Sequence, residues 1–560
     1  MSVRDMRALT GDHQSQVAFV VDGSWRLQSL QDTHPASPSF GCFHYAYWRD
    51  KTSEFPDARF QEAGATLGLL SLPFFDAARP GGRLDEARVL EQRFSAGLHN
   101  LAAQQYADGT FDEWYKGERG FAATEFTTIA YGLAARFLGD RLDRPDRDRL
   151  VSVMTRAARW LARRGDRVKA NHHAAAAAAL ALAADVTGDR SFATAAHVKI
   201  GEVMQRQHRE GWFPEVGGMD LGYCSVLLDY VMVYTLVTGD ERAIPAMRSL
   251  LAFMAPLIHP DGTISPEMGI CLNPYVSRLG VGLLSPYDQH ASALTSLFGS
   301  RSCGLDGLRP YLADDLRLTR WSHLPLVTAL LSDRFRPHPD GSRALIAGYP
   351  DGWTWHTAAA VGAYHHGRTH VYLSGAGGGT VRVYAEDRLV GEDQGVTVAG
   401  THVTSAGYDP ERPIDRTESR VSLSCDLGAP QFMQPGFWMR LALRAGSATR
   451  LGSRLTRAAI DYIRIKRRTA ANQSAAPVSR GPAVFRLTRT VETEGETVRV
   501  LDRVISHVGA LAADRIQTLG AAPPQESVAS SAAANAVEIT KTWRLADDGS
   551  LAASPRTGRA

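Results

Sequence analysis

The stretch NHHAAAAAALALAADVTGD, residues 171–189, decides the fold of the first half of this chain. Alanine and leucine favour helix, and a glycine directly after the last apolar residues is a common helix stop. Asn171, His172 and His173 stand at the start of this run. The stretch therefore predicts a buried helix that carries hydrogen-bonding side chains at its N-terminus.

The Gly-Asp pair that ends this helix recurs along the chain at a nearly constant interval. It begins at Gly139, Gly188 and Gly239, which lie 49 and then 51 residues apart. A repeat of this length is typical of architectures in which one helical hairpin stacks on the next. The Gly-Asp pairs thus mark one end of a set of equivalent hairpins.

A second series of turns interleaves with the first and marks the other end of the helices. It comprises Asp108-Gly-Thr, Glu210-Gly-Trp and Asp261-Gly-Thr, whose first residues lie 102 and then 51 residues apart. Residues 45–340 have room for about six such hairpins. We therefore predict an incomplete (α/α) toroid whose equivalent loops line one cleft.

From Trp353 onward the sequence changes character. Alternating, β-branched segments such as 369–374 and 498–505 are separated by glycine-rich turns, a pattern that predicts antiparallel strands. The predicted fold class is multidomain α+β, with the toroid at residues 1–345 and an antiparallel β-sandwich at residues 346–560. The end of the second domain is Ala/Ser-rich, and we expect it to be poorly structured.

The overall composition excludes several classes of protein. The 560 residues carry 62 basic and 59 acidic side chains, so the net charge of +3 gives no general attraction to nucleic acid. The five cysteines are scattered and form no CxxC pair, which argues against a zinc ribbon or a disulfide framework. We expect no nucleic-acid partner and no cofactor.

The N-terminal residues give an expectation about location. They lack the apolar core of a signal peptide, and we find no run of eighteen or more strongly apolar residues. We therefore expect a cytoplasmic protein without a membrane partner. A leader missing from this sequence would instead make the protein secreted or periplasmic.

Asn171 and Tyr223 are the first candidate catalytic residues. They lie 52 residues apart, about one repeat, so neighbouring hairpins place them on the same side of the toroid. Simpler interpretations exist for both, because asparagine is a favoured N-cap and tyrosine often packs with a hydrogen-bonded tip. Of the adjacent histidines, we expect His172 or His173 to point into the cleft.

Further polar and aromatic residues are candidates for substrate binding. Arg278 lies about one repeat beyond the tyrosine, and arginine holds carboxylates or sulfates through two hydrogen bonds. Tyr287 follows in the same region, and Trp48 with Arg49 belongs to an aromatic segment suited to stacking on an acidic sugar. The alternatives are an ordinary surface arginine and simple packing of the first helix.

A histidine pair in the second half completes the candidate set. His365 and His366 are adjacent on a predicted strand, so they face opposite sides and one of them faces the helical half. Together with His370, either histidine could also be a ligand of a structural divalent metal in the second domain, although no ligand spacing here is diagnostic.

These features together resemble the heparinase II/III-like polysaccharide lyases. The resemblance covers residues 41 to the last strands, and its motifs are the Asn-His pair, the tyrosine one repeat later and the segment Phe55–Glu62. It implies β-elimination on a uronic-acid glycan, in which the C5 proton is removed and the 4-O group leaves. The product has an unsaturated uronyl end, and the partner is an anionic polysaccharide or oligosaccharide.

The resemblance also implies roles for individual residues. Asn171 neutralises the uronate carboxylate with help from His172 or Arg278. Tyr223 acts as base, acid or both at C5 and O4. His365 or His366 completes the proton transfer.

Three other functions fit the same residues. A uronyl C5-epimerase uses the same proton abstraction, and a glycan-binding protein would keep the cleft without turnover. A glycoside hydrolase would need two carboxylates across the cleft. The equivalent loops supply the candidates Asp112, Glu113, Glu215 and Glu267, of which Glu215 also suits substrate binding. Homo-oligomerisation stays open.

Overall fold

A computed structural model describes most of the chain. The described residues are 11–79, 84–274, 276–300, 315–341, 345, 349–401, 403–429, 436–467, 484–519, 525–530 and 535–544. In these ranges the α-helices are α1 (Gly11–Ser29), α2 (Tyr45–Trp48), α3 (Glu62–Leu70), α4 (Leu84–Gln104), α5 (Phe121–Leu138), α6 (Arg144–Leu161), α7 (Ala170–Thr187), α8 (Arg190–Met204), α9 (Leu221–Thr238), α10 (Ile244–Met254), α11 (Leu279–Leu284), α12 (Gln289–Ser300), α13 (Asp315–Trp321), α14 (His323–Leu330), α15 (Phe437–Ser447) and α16 (Arg450–Arg467).

The predicted turns between helices are present and share one geometry. In each Asp-Gly or Glu-Gly turn the glycine has a positive φ and donates its N–H to the carbonyl three residues earlier. Only glycine fits Gly109, because a Cβ there would lie 2.1 Å from the Arg156 carbonyl oxygen. Gly188 and Gly239 take the left-handed conformation directly after α7 and α9, which confirms both predicted helix stops.

Six helices form the inner layer of the described helical half. Helices α3, α5, α7, α9 and α11 pack on one another in that order, and α14 contacts both α11 and α3. The inner helices are apolar all round, as expected for buried helices. In α7 every residue from Ala170 to Ala183 is buried, and the small alanine side chains let the neighbouring helices approach closely.

Helix α9 corrects one expectation from the sequence. Leu221–Thr238 is long and apolar enough to span a membrane by length and composition, whereas no such segment was expected. In the folded chain 78% of this window is buried, and α9 lies between α7 and α11. Its apolar character is accounted for by its place in the helical core.

Antiparallel strands make up most of the second half. They are β1 (Gly352–His356), β2 (Val361–His366), β3 (Thr369–Ser374), β4 (Thr380–Ala385), β5 (Arg388–Asp393), β6 (Gly395–Val398), β7 (Ile414–Arg416), β8 (Arg420–Asp426), β9 (Phe485–Glu494), β10 (Thr497–Ser506), β11 (Ile516–Leu519), β12 (Gln525–Ser530) and β13 (Ala536–Arg544). Five strands form a sheet in the order β1-β2-β3-β4-β5, six form a sheet in the order β12-β13-β10-β9-β8-β7, and β11 pairs with β6. The prediction of helices followed by antiparallel sheets is confirmed.

Two features of the second half differ from the sequence expectation. Helices α15 and α16 stand between β8 and β9, where only strands were predicted. Strands β12 and β13 occupy part of the Ala/Ser-rich end, and the segment after residue 544 lies outside the described residues. Side chains of the two larger sheets, including Val371, Val491 and Trp543, form one hydrophobic cluster.

The second half packs against the loop end of the helical half. Tyr408 accepts a hydrogen bond from the Met219 backbone N–H at 3.1 Å. Arg382 on β4 contacts Glu267 at 2.8 Å, and Ser374 on β3 donates to the Glu267 carbonyl oxygen at 2.7 Å. The equivalent loops of the hairpins therefore lie beneath the sheets, which is where the candidate site forms.

Candidate active site

Asn171 lies within the first turn of α7 and does not cap it. The helix begins at Ala170 with Lys169 at the N-cap, so the capping interpretation of Asn171 is wrong. The Asn171 backbone N–H donates to Glu215 Oε1 at 2.8 Å, and thus a carboxylate from the next loop satisfies this helix end. The Asn171 side chain is fully buried, and its Oδ1 has no hydrogen-bond partner among the described residues.

Glu215 is a buried carboxyl group held in a strained loop. Burial raises its pKa to about 8, against the opposing effects of Asn171 and Lys169. Its backbone pairs with that of Lys169, and the following residue, Val216, has a φ of 51°, which is rare for a β-branched residue. At neutral pH Glu215 is therefore mainly protonated and able to donate a hydrogen bond.

Tyr223 stands at the equivalent position of the next inner helix. Asp220 caps α9 by accepting the Tyr223 backbone N–H at 2.9 Å, and its other oxygen accepts from Cys271 N–H at 2.8 Å. Burial, followed by the charges of Cys271, Asp220 and Glu215, raises the pKa of the phenol. Tyr223 is thus a neutral hydroxyl at neutral pH.

The two adjacent histidines point in opposite directions. His172 Nδ1 lies 2.8 Å from Glu125 Oε1, and its Nε2 lies 3.5 Å from Lys169 Nζ. His173 Nε2 lies 2.5 Å from Glu202 on the outer helix α8. The inward histidine is therefore His172, whereas His173 joins α7 to α8.

Glu125 is a site residue that the sequence reasoning missed. It is fully buried on α5, and burial with the nearby Asp166 raises its pKa well above the ordinary value for glutamate. A signal was available, because Glu125 precedes His172 by 47 residues, about one repeat. Helices α5, α7 and α9 thus each contribute a polar residue from near their N-terminal ends.

A second missed residue, Asn273, lies against the start of α9. Its side chain packs against Gly222, where a Cβ would come within 2.6 Å of the amide carbon. Neither polar atom of this buried amide has a hydrogen-bond partner among the described residues. Asn273 follows Asn171 by 102 residues, about two repeats, so the two amides stand in related loops.

Buried ion pairs from the start and end of the helical half complete the surroundings. Arg320 on α13 binds Glu113 and Asp57 at 2.8 Å each. Arg59 contacts Glu62, and its guanidinium lies 4.2 Å from the centre of the Phe126 ring. Burial raises the pKa values of Asp57 and Glu62 to about 7, so this acidic region is easily protonated.

Four predicted substrate-binding residues have their contacts elsewhere. Arg278 donates to the Val276 carbonyl oxygen, and its guanidinium lies 4.4 Å from the centre of the Phe298 ring. Tyr287 donates to Glu241 at 2.7 Å on the outer surface, Trp48 donates to the Leu30 carbonyl oxygen at 2.8 Å, and Arg49 is exposed. None of these described contacts is with Asn171 or Tyr223.

The β-strand histidines also have other neighbours. His365 is buried, with its Nδ1 3.0 Å from His370 Nδ1 and its Nε2 3.3 Å from the Pro256 carbonyl oxygen. Burial lowers the pKa of His365 to about 3. His366 is half-buried, and its Nδ1 lies 3.6 Å from Asp351 Oδ2. Among the described residues, no group of three or more His, Cys, Asp or Glu side chains is arranged to hold a metal.

A surface cavity of about 830 Å³ lies away from this cluster. Arg88, Glu91, His99 and Arg141 line it, near the C-terminal end of α5. None of the predicted or newly found site residues lines it. We therefore assign the candidate site to the helix N-termini, where the buried polar groups meet.

Comparisons with known proteins give low similarity. No family model and no curated protein matches the sequence. The chain is similar to the Streptomyces coelicolor A3 chondroitin AC lyase, solved with chondroitin sulphate, at 12% identity and a TM-score of 0.49, covering 95% of this chain and 77% of that one.

Two glycoside hydrolase structures are also similar. A family 76 enzyme from a bovine Bacteroides thetaiotaomicron strain has 10% identity and a TM-score of 0.35, covering 57% of this chain and 78% of that one. A GH127 beta-arabinofuranosidase has 10% identity and a TM-score of 0.34, covering 94% and 74%. The resemblance to heparinase II/III-like lyases stays a prediction, and the reaction has to be argued from the site residues.

Proposed function

We propose that the protein is a carbohydrate-active enzyme, a lyase that cleaves a uronic-acid glycan by β-elimination on an (α/α) toroid scaffold. One observation carries the proposal. The unpartnered Asn171 amide oxygen, the protonated Glu215 and the neutral Tyr223 hydroxyl belong to neighbouring loops and helix starts. They supply donors for the substrate carboxylate and an acid for the leaving oxygen, and the adjacent His172 is the candidate base.

The first requirement is neutralisation of the substrate carboxylate. Removal of the C5 proton places further negative charge on that group, so hydrogen-bond donors aimed at it stabilise the transition state. The Asn171 amide can donate, and Glu215, whose pKa is about 8, can donate its own proton. An ionised Glu215 would repel the substrate carboxylate. Burial keeps Glu215 protonated at neutral pH and so prevents this repulsion.

The second requirement is a base and an acid. His172, whose Nδ1 lies 2.8 Å from Glu125 Oε1, takes the C5 proton. The C–H electron pair becomes the C4–C5 double bond, and the C4–O4 bond breaks. Tyr223, whose pKa is raised, donates its proton to the departing O4. Proton transfer through solvent then restores both side chains.

A glycoside hydrolase is the second candidate, and one observation favours it. Glu125 and Glu215 are both fully buried carboxyl groups with raised pKa values, and a glycosidase acid needs that property. In this reading one carboxyl protonates the leaving oxygen, while Tyr223 only positions the sugar. The two candidates therefore assign different roles to Glu215 and Tyr223.

A glycan panel with two variants separates the candidates. The purified protein is incubated with uronate and neutral polysaccharides, and both ultraviolet absorbance from unsaturated ends and reducing-end release are followed. For a lyase, Tyr223→Phe lowers kcat about 10²–10⁴-fold, whereas Glu215→Gln, which keeps a hydrogen-bond donor, has a small effect. For a hydrolase the order of the two effects is reversed and no absorbance develops.

A matched control accompanies Tyr223→Phe. Tyr234 lies on the same helix α9, three turns further on, where its hydroxyl donates to Asp240 at 2.5 Å. Tyr234→Phe removes the same atom without touching the cluster, and kcat should not change. Deuterium exchange at C5 without absorbance would instead identify an epimerase, and no turnover on any glycan would overturn the proposal.

A further inference from the structure

The helical hairpin between β8 and β9 presents its apolar side to solvent. Helices α15 and α16, residues 437–467, are termed the insert hairpin. It holds seven of the seventeen large apolar side chains that are exposed in the described chain, including Trp438 at 77% exposure and Phe437 at 72%. Amphipathic helices of globular proteins normally turn this face to the core, so the arrangement is reversed.

The inward side of the insert hairpin is small and polar. Ser453 Oγ donates to the Glu118 carbonyl oxygen at 2.9 Å, and Arg457 contacts Glu118 Oε1 at 3.3 Å. Gly117 packs so closely on Ser447 that a Cβ would lie 2.5 Å from its carbonyl oxygen. The insert hairpin is thus attached through serine, glycine and arginine, and the described parts of the chain leave its apolar stripe uncovered.

The exposed residues form one stripe along each helix. In α16, Leu451, Leu455 and Tyr462 are spaced by four and seven residues and are each more than 60% exposed. In α15, Phe437 and Leu441 are spaced by four residues on the same side as Trp438. Helical spacing places such residues on one face. The two stripes are joined by a turn of only two residues.

The insert hairpin is also strongly basic. Residues 437–467 contain eight arginines and lysines and one acidic residue. Arg440 and Arg454 are exposed, and each lies one residue from a leucine of the stripe. Aliphatic and aromatic residues flanked by arginines are the composition of helices that lie in a membrane interface.

We propose that the insert hairpin binds the surface of an anionic lipid membrane. The leucines, methionine and aromatic residues enter the headgroup–acyl boundary, and the arginines contact lipid phosphates. Leucine and methionine favour acyl chains over a glycan, because sugars bind through hydrogen bonds and aromatic stacking, which aliphatic side chains do not provide. The proposal revises the expectation of no membrane partner and does not depend on the proposed reaction.

Vesicle sedimentation tests this inference. The full chain is mixed with vesicles of phosphatidylcholine alone, or of phosphatidylcholine and phosphatidylglycerol in equal parts. We expect sedimentation with the mixed vesicles only. The double variant Trp438→Ser/Leu455→Ser should bind at least about tenfold more weakly, because both lost side chains lie in the apolar stripe.

Matched variants elsewhere on the surface control for general effects. Trp25→Ser/Val198→Ser removes a tryptophan and an aliphatic residue of 63% and 56% exposure, far from the insert hairpin in sequence, and should bind as the wild type does. Arg440→Gln/Arg454→Gln should weaken binding to the anionic vesicles, whereas Arg144→Gln on α6 should not. Equal thermal unfolding of all variants shows that the fold is intact.

Several results would overturn the proposal. One is an absence of sedimentation with both kinds of vesicle, and another is binding that the hairpin variants leave unchanged. If light scattering shows a dimer, and the variant Trp438→Ser/Leu455→Ser is a monomer, the apolar stripe of the insert hairpin binds a second copy of the chain instead. Retention on an anionic polysaccharide column without vesicle binding would assign it to glycan.

Discussion

Two buried clusters of charged residues, one in each half of the molecule, differ in how completely their groups are paired. In the sheets, Arg489 binds Asp502 through two hydrogen bonds of 2.6 Å and Asp393 at 3.0 Å. Lys541 lies 2.5 Å from Asp393 and 3.3 Å from Asp502. These four residues alternate in charge and are all buried, so each charge has a partner.

The helical cluster leaves groups without partners. Glu62, Glu113 and Glu215 each keep one buried carboxyl oxygen that has no hydrogen-bond partner among the described residues. The amides of Asn171 and Asn273 add unsatisfied atoms beside them. An unpaired buried polar group lowers stability, so its persistence points to a ligand or a reaction rather than to folding.

The pKa values diverge in the same way. Neighbouring charges of Arg489 and Lys541 hold the pKa of Asp502 below its ordinary value, despite burial. Burial raises the pKa of Glu215 to about 8 and that of Glu62 to about 7. The sheet cluster therefore keeps its charges, whereas the carboxyl groups of the helical cluster hold protons near neutral pH, and a proton-transfer site needs the second condition.

The largest expected effect concerns the histidine pair. His172→Ala should lower kcat about 10²–10⁴-fold on the glycan identified in the panel, because it removes the base. His173→Ala, one residue away, loses its contact with Glu202 and should leave kcat unchanged. Kinetics and thermal unfolding of both variants check this. A similar loss of activity in both would show that α7 as a whole, and not the inward residue, was perturbed.

Removing one charge from the sheet cluster should have the largest effect on stability. Arg489→Met leaves Asp393 and Asp502 with Lys541 alone and should lower the free energy of unfolding by about 3–5 kcal/mol. Urea unfolding measures it. Arg320→Met in the helical cluster should cost less, because Asp57, with a pKa of about 7, can take up a proton when its partner is lost. An equal loss of unfolding free energy in the two variants would show that the two clusters do not differ in how much they depend on their arginine.

The two clusters should also differ in their response to pH. The folded-state pKa of Glu215 lies above the unfolded value of 4.5, so its contribution to stability is lost as the pH rises from about 4.5 to about 8. Glu215→Gln should reduce this fall by an amount on the order of 1–3 kcal/mol. Asp502 has the opposite shift, so its contribution is lost only in acid, and Asp502→Asn should not change the slope between pH 5 and 8.

The repeat pattern predicted much of the site geometry. Two series of turns placed Asn171 and Tyr223 on neighbouring hairpins, because loop spacing reflects helix length and helix length is encoded locally. The direction of each histidine was not predictable, since it depends on which carboxyl group, that of Glu125 or that of Glu202, the ring packs against in the fold. Glu125 itself follows the repeat spacing and could have been found.

Long-range pairing accounts for most of what the sequence did not predict. Arg278 resembles a carboxylate-binding residue, but its contact with Phe298 depends on packing between α11 and α12. The insert hairpin interrupts the strands, and its apolar spacing was obscured because β-branched patterns surround it. Adjacent strand residues face opposite sides, and of His365 and His366 it is His365 that faces the helical half. Its Nε2 contacts the Pro256 carbonyl oxygen and not the helical cluster.

The smallest expected effect concerns backbone strain at one residue in each half of the molecule. Leu272, directly before Asn273, has a φ of 53°, and Glu386 in the turn between β4 and β5 has a φ of 54°. Glycine at either position removes the left-handed penalty and should stabilise the fold by about 0.5–1 kcal/mol. Only Leu272→Gly should also reduce kcat, because it loosens the loop that presses the Asn273 amide against Gly222 beside Tyr223. Thermal unfolding and kinetics of the two variants provide the comparison. An unchanged kcat for Leu272→Gly would place Asn273 with the paired, structural groups of the sheets.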